Sequence, residues 1–148
     1  MIASTRPTLS IRRAVPWLLA STVLILAGCN QPGGGSRERV FAADLMGAAK
    51  KCEAPTPSLS DGRTSEVTMK VANDGGWCGI NLSRSGRPYD SALLSARPSN
   101  GRVAVNRVGD VTRVAYTPAP RFTGTDTFAV KLIPGDATVR VAVTVTAN

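Results

Sequence analysis

Apolar and polar side chains alternate along most of the chain after residue 65, which predicts β-strands. The clearest segment runs from Thr138 to Thr146, where four valines occupy every second position. Clusters of Gly, Asn, Asp and Pro separate the segments at intervals of roughly 8 to 12 residues. The predicted strands begin at 66–71 and continue at 77–84, 92–97, 102–108, 112–117, 126–133 and 138–146. About seven short strands in residues 66–148 predict an all-β fold, an antiparallel β-sandwich.

The pattern before residue 66 is different. Apolar residues recur at helical spacing between Arg37 and Lys51, namely Val40, Phe41, Leu45, Ala48 and Ala49. This spacing predicts a short amphipathic helix. Pro55, Pro57 and the turn pair Asp61-Gly62 then indicate a connecting segment. We therefore expect residues 37–65 to place a helix and a connector in front of the sandwich.

The amino terminus combines a basic start with an apolar run. Three arginines, the last of them Arg13, precede a run from Ala14 to Ala27, and small residues come directly before Cys29. A transmembrane helix needs roughly 20 apolar residues. This run is shorter, contains Pro16 and is followed by the Gly-rich stretch from Gln31 to Ser36. The arrangement is typical of an export signal that is removed from the mature protein.

The residues Leu26-Ala27-Gly28-Cys29 resemble the lipobox of bacterial lipoproteins at every position. The resemblance implies that residues 1–28 are a signal peptide, that Cys29 carries lipid, and that residues 29–36 are a tether. Two or three acyl chains hold a protein on a membrane, since each buried CH2 contributes about 0.8 kcal/mol. Asn30 stands where enteric lipoproteins of the inner membrane have Asp. We expect a lipid-anchored cell-envelope protein in the outer membrane, facing the periplasm or the cell surface; ordinary cleaved secretion is the alternative.

Removal of the signal changes the charge of the chain. The full sequence has a net charge of +8, and loss of three arginines with residues 1–28 lowers it to +5. The arginines from Arg84 to Arg140 are scattered singly and are not interleaved with aromatic residues, so we expect no nucleic-acid partner. A basic face remains compatible with anionic lipid headgroups or lipopolysaccharide.

Two cysteines remain once Cys29 is lipidated, and an exported protein meets an oxidising compartment. We expect Cys52 and Cys78 to form a disulfide bond. The chain contains no His, so these two thiols supply too few soft ligands for zinc, and we expect neither a metal nor a cofactor. The missing His also removes the usual Ser-His-Asp and Cys-His arrangements, and no phosphate-binding glycine loop is present. We therefore do not expect an enzyme.

The carboxyl-terminal part, about residues 100 to 147, resembles the repeat of bacterial Ig-like and cadherin-like surface domains. The most specific residues are Gly124-x-Asp126-x-Phe128, after a Tyr116-Thr-Pro sequence and before the alternating valines. The resemblance implies an Ig-like sandwich with Tyr116 and Phe128 in the core between the sheets. Two roles stay open for Asp126: it accepts backbone N–H groups at a corner, or it binds calcium as acidic residues do in cadherin-like relatives.

The stretch around Trp77 and the loop that follows are the least generic part of the domain. In one interpretation, Trp77 is a core residue that packs on the disulfide. In the other, Trp77, Arg84, Arg87 and Tyr89 form an exposed platform for a glycan or a partner protein. We expect an envelope lipoprotein that presents one Ig-like domain for structural or protein–protein interaction. The alternative is a module that binds glycan, peptidoglycan or lipopolysaccharide through a basic and aromatic surface.

Overall fold

Most of the chain that the computed structural model describes, residues 42–148, is β-strand. The helix-like part is a four-residue 3-10 helix at Ala42–Leu45. The strands are β1 Cys52–Glu53, β2 Thr64–Asn73, β3 Cys78–Leu82, β4 Ser91–Ala96, β5 Gly101–Val108, β6 Val111–Pro118, β7 Gly124–Ile133 and β8 Thr138–Ala147. The seven predicted strands are therefore all present, and β1 is an additional short one.

The strands form two sheets, which confirms the all-β sandwich. One sheet has the order β1-β2-β8-β7-β4, and the other has the order β3-β6-β5. Every pair is antiparallel except β2 with β8, which run in the same direction from Thr64 beside Thr138 to Asn73 beside Ala147. The predicted antiparallel arrangement therefore holds for every strand pair except this one. Alternation along a strand specifies its buried face, but not the direction of its neighbour.

The core lies between the sheets and is built from the alternating positions. Val139, Val141, Val143 and Val145 of β8 are all buried. The ring of Tyr116 on β6 stacks on that of Phe128 on β7, with centroids 5.8 Å apart and planes 6° from parallel. The two rings therefore meet across the core, as the sequence predicted.

The amphipathic helix predicted for residues 37–51 is not formed over the described part of that range. The chain turns directly after the 3-10 helix, and Gly47 has a φ of 75°, which a continuing α-helix does not allow. Ala48 then forms a β-bridge with Trp77. After the single turn closed by the bond from the N–H of Ala48 to the carbonyl of Leu45, the backbone groups of Gly47, Ala49 and Lys51 bond to the sandwich. Residues 37–41 lie outside the described part of the chain.

The strand directions define two ends of the sandwich. The proximal end carries the β2–β3, β4–β5 and β6–β7 connections, and the last residues of β8 reach it as well. The distal end carries the β3–β4, β5–β6 and β7–β8 connections. No helix between residues 42 and 148 is long and apolar enough to span a membrane.

Candidate functional site

The chain joins the sandwich through a short stretch, residues 44–51, that we call the N-terminal segment. Its backbone forms hydrogen bonds with residues before and after the β2–β3 turn. The N–H of Ala49 donates to the carbonyl of Trp77 at 2.8 Å, and the N–H of Trp77 donates to the carbonyl of Gly47 at 3.0 Å. Two residues later, the carbonyl of Lys51 accepts from the N–H of Ala72 at 3.0 Å. The segment is thus an extra backbone layer on the proximal part of the domain.

Gly76 allows the N-terminal segment to lie this close. A Cβ atom at this position would come within 2.4 Å of the backbone nitrogen of Ala49, so any other residue would displace the segment. The carboxylate of Asp74 fixes the same turn by accepting the N–H groups of Lys50 and Gly76, both at 2.9 Å. The hydrogen bond from the N–H of Lys50 lowers the pKa of Asp74 most, and the bond from the N–H of Gly76 lowers it further.

The predicted disulfide is confirmed and fastens the end of this segment. Cys52 and Cys78 are bonded, with Cα atoms 5.3 Å apart and a sequence separation of 26. Cys52 is exposed on β1, whereas Cys78 is fully buried at the start of β3. The bond therefore joins the N-terminal segment to the core, and it links the two sheets because β1 and β3 belong to different ones.

Trp77 holds the segment from the outer face of the three-stranded sheet. Its indole N–H donates to the carbonyl of Met46 at 3.0 Å, and the guanidinium of Arg113 lies 4.9 Å from the ring centroid. The side chain is half-buried. Trp77 is accordingly neither in the core between the sheets nor open on a platform.

Arg113 is the charged residue on which this contact depends. It is only 5% exposed, although it points away from the core on the central strand β6. Its Nε donates to Oδ1 of Asn81 at 3.0 Å, and its terminal nitrogen donates to the carbonyl of Asp44. The sequence analysis considered the singly spaced arginines only as a group and did not single out Arg113. The register that places Arg113 opposite Asn81 cannot be read from either local sequence.

The other three residues of the proposed platform lie elsewhere. Arg84 and Arg87 face each other across a tight turn at the distal end, and Arg84 pairs with Asp61. Tyr89 is 4% exposed, and burial raises the pKa of its hydroxyl. Trp77 precedes β3 and Arg84 follows it, so the length of this five-residue strand, roughly 16 Å, lies between them. The four side chains therefore do not form one surface.

A groove with a volume of about 600 Å³ opens at the proximal end. The β2–β3 turn, the β4–β5 connection and the β6–β7 connection form its walls. Its lining includes Asn73, Ser99, Arg102, Pro118, Pro120 and Arg121. The amide of Asn73 donates to the carbonyls of Ala119 at 2.8 Å and Phe122 at 2.9 Å, which fixes the β6–β7 wall to the end of β2.

Asp126 fixes the opposite wall, in the role of backbone acceptor that was one of its two predicted alternatives. Its carboxylate accepts the N–H groups of Ser99 at 2.9 Å, Asn100 at 2.7 Å and Thr127 at 2.8 Å. The hydroxyl of Tyr116 donates to it at 3.0 Å. Burial of Asp126 acts to raise its pKa, but the four donors outweigh burial and lower it. Within residues 42–148, no group of three His, Cys, Asp or Glu side chains is arranged to hold a metal ion.

Large apolar side chains are exposed at two places in the described part of the chain. Leu45 and Met46 of the N-terminal segment are 52% and 78% exposed. Leu93 is 53% exposed on β4, which is an edge strand of the five-stranded sheet. β4 has the sequence Ser-Ala-Leu-Leu-Ser-Ala, so it lacks the charged residues that commonly protect an edge from pairing.

Comparison of the chain with protein-family models and with curated proteins gave no match. The lipidation residue predicted from the sequence, Cys29, lies outside the described residues.

Proposed function

We propose that this chain is a lipid-anchored envelope lipoprotein that presents one Ig-like domain for structural or protein–protein interaction. The observation that carries the proposal is the sequence Leu26-Ala27-Gly28-Cys29 at the end of a basic and apolar amino terminus. Residues 29–36 are the tether, and Cys29 at its start is the lipidation residue. The proposed location is the cell envelope. Because Asn30, and not Asp, follows the cysteine, the outer membrane is proposed rather than the inner one.

The disulfide supports an exported protein. Disulfides persist in oxidising compartments such as the bacterial periplasm and are rare in the cytosol. Cys52 and Cys78 are the only cysteines that follow Cys29, and they are bonded to each other. Of the three cysteines, two form the disulfide and one, Cys29, is left for lipidation, as expected for an exported lipoprotein.

The strand order supports an Ig-like domain. In Ig domains, strands A, B, E and D form one sheet and strands C, F and G form the other. Here β3, β6 and β5 take the positions of B, E and D, while β4, β7 and β8 take those of C, F and G. β2 takes the place of a first strand that pairs with the last one, in parallel. The Tyr116 and Phe128 of the resembling motif lie in the core.

The edge of the five-stranded sheet supports a protein partner. β4 pairs with β7 on one side only, and its outward residue Leu93 is more than half exposed. An uncharged edge with an exposed leucine is suited to accept a strand from another protein. The glycan-binding alternative has less support, because Tyr89 is buried and Trp77 is occupied by the N-terminal segment.

The anchor is tested by labelling cells with radioactive palmitate. The wild-type protein is expected to incorporate label, and Cys29→Ala is expected to incorporate none. Continued labelling of the Cys29→Ala protein would refute lipidation at this residue.

The partner surface is tested by placing a photo-crosslinking amino acid at position 93 in living cells. Thr144 provides the matched control, because it is exposed on β8 of the same sheet but lies away from the edge. One defined protein adduct at position 93, absent at position 144, is the expected result. Equal adducts at both positions, or none at position 93, would count against an interaction through β4.

A further inference from the structure

Charges are distributed unequally between the two ends of the sandwich. Five cations lie at the proximal end and are all exposed: Lys50, Lys51, Arg97, Arg102 and Arg121. We call them the proximal basic end. None of the five belongs to an ion pair within residues 42–148. At the distal end, by contrast, three of the cations are paired, Arg84 with Asp61, Arg107 with Asp90 and Lys131 with Asp136, and the other two, Arg63 and Arg87, are not paired in the described part of the chain.

Fewer acidic side chains than basic ones lie at the proximal end, so the positive charge there is only partly neutralised. Asp126 is buried and its carboxylate is already bound by backbone N–H groups and Tyr116. Asp74 accepts the N–H groups of Lys50 and Gly76, and its charge also interacts with the side-chain charge of Lys50. The proximal end therefore has an excess of positive charge that faces solvent.

Two of the cations stand beside the groove. Arg102 at the start of β5 and Arg121 in the β6–β7 connection both line it, together with the apolar surfaces of Pro118 and Pro120. The walls are rigid because Asn73 and Asp126 bind the backbone of the two connections. A phosphate group accompanied by its glycerol backbone has the charge and the partly apolar character that this lining fits.

The N-terminal segment reaches the sandwich in the same region, since Ala48 bridges Trp77 and the backbone of Lys51 bonds to Ala72. We propose that the proximal basic end binds the surface of an anionic lipid bilayer, with phosphate-bearing headgroups between Arg102 and Arg121. The affinity for lipid is independent of the anchor. The orientation, with the distal end directed away from the bilayer, rests on the proposed lipidation of Cys29.

The test measures vesicle binding without the acyl chains. The chain from residue 30 is exported behind a cleavable signal that lacks a lipobox, so that binding reports the protein surface alone. It is sedimented with vesicles of phosphatidylcholine and with vesicles that also contain phosphatidylglycerol, at low and at high salt. The test variant is Arg102→Ser with Arg121→Ser. The matched control is Arg63→Ser with Arg87→Ser, which removes the same charge from exposed, unpaired arginines at the distal end of the described domain.

Binding is expected on the phosphatidylglycerol vesicles only, and salt should weaken it because exposed charges are screened within about 10 Å at 0.1 M. Each basic residue near an anionic surface contributes about 1 kcal/mol, so the double test variant should bind roughly 30-fold more weakly. The control should change binding by less than about threefold.

Three results would overturn the proposal: absence of binding to phosphatidylglycerol vesicles, equal binding to phosphatidylcholine, or an equal loss in the test and control variants. Binding to insoluble peptidoglycan, but not to vesicles, with the same dependence on Arg102 and Arg121 would assign the surface to a glycan instead. A failure of palmitate labelling at Cys29 would remove the proposed orientation but leave the vesicle result standing.

Discussion

Replacement of Asp126 tests whether one carboxylate organises the proximal end. The side chain is buried and accepts three backbone N–H groups and one hydroxyl. Asp126→Ala removes the acceptor of the three backbone N–H groups and one of the two acceptors near the Tyr116 hydroxyl. Asp126→Asn keeps one carbonyl oxygen in place but removes the negative charge.

The magnitude follows from the kind of bond lost. A hydrogen bond to a charged group contributes about 1.5–3 kcal/mol. The N–H groups of Ser99 and Asn100 are only partly buried, so water replaces part of what the carboxylate supplied. The hydroxyl of Tyr116 retains the carbonyl of Asn100 at 3.2 Å. We expect Asp126→Ala to lower the free energy of unfolding by about 3 kcal/mol and Asp126→Asn by about half of that.

The assay is urea denaturation at neutral pH, with the slope of the free energy against urea compared between variants. Asp110→Asn is the control, because Asp110 is exposed in the turn between β5 and β6 and belongs to no ion pair within the described residues. It should change stability by less than about 0.5 kcal/mol. A loss below about 1 kcal/mol for Asp126→Ala, or an equal loss for Asp110→Asn, would refute the reasoning.

Three further predictions concern pH, the disulfide and the N-terminal segment. Because its donors lower the pKa of Asp126 despite burial, its contribution to stability should be complete above the unfolded value of about 3.9 and should fall as pH drops through the folded pKa. Urea midpoints measured between neutral and acidic pH should therefore decline less in Asp126→Asn than in the wild type. Replacing Cys52 by Ser and Cys78 by Ala should lower the free energy of unfolding by about 3.5 kcal/mol; a reductant should destabilise the wild type but not this variant, and equal effects on both would contradict a structural bond. Arg113→Ala should speed hydrogen exchange at the N–H of Ala49 by about 30-fold, since it removes a cation–π contact and a hydrogen bond that together contribute about 2 kcal/mol. Arg107→Ala, at the distal end, should leave exchange at Ala49 unchanged.

The strands could be predicted because their signal is local. In β8, for example, every second residue is a valine, and those valines are the buried ones. The disulfide was predictable for a different reason. With Cys29 assigned to lipid, Cys52 and Cys78 are the two cysteines that remain to pair. Asp126 was singled out by the Gly124-x-Asp126-x-Phe128 motif, which left two roles open, and its bonds to three backbone N–H groups correspond to the first of them.

The errors arose where a residue depends on a distant partner. Residues 42–51 have apolar side chains at helical spacing, but backbone groups of Trp77 and Ala72 bind this segment and decide its conformation. Tyr89 follows a loop rich in polar residues, yet the chain returns it to the core. Arg113 resembles the solvated arginines in sequence and differs from them only by its neighbours Trp77 and Asn81. These outcomes depend on contacts between residues that are far apart in the sequence, which a local pattern does not reveal.

The position of the disulfide also determines how the protein responds to a pull. A force applied from the amino-terminal side reaches the N-terminal segment first and can peel its hydrogen bonds one after another. Peeling stops at Cys52, because the covalent bond to Cys78 transfers the load directly to β3 and the core. The eight residues of the N-terminal segment, 44–51, can extend by at most about 29 Å. The N-terminal segment can therefore extend only until the disulfide bears the load. Unfolding of the sandwich under this force does not start by detachment of β1.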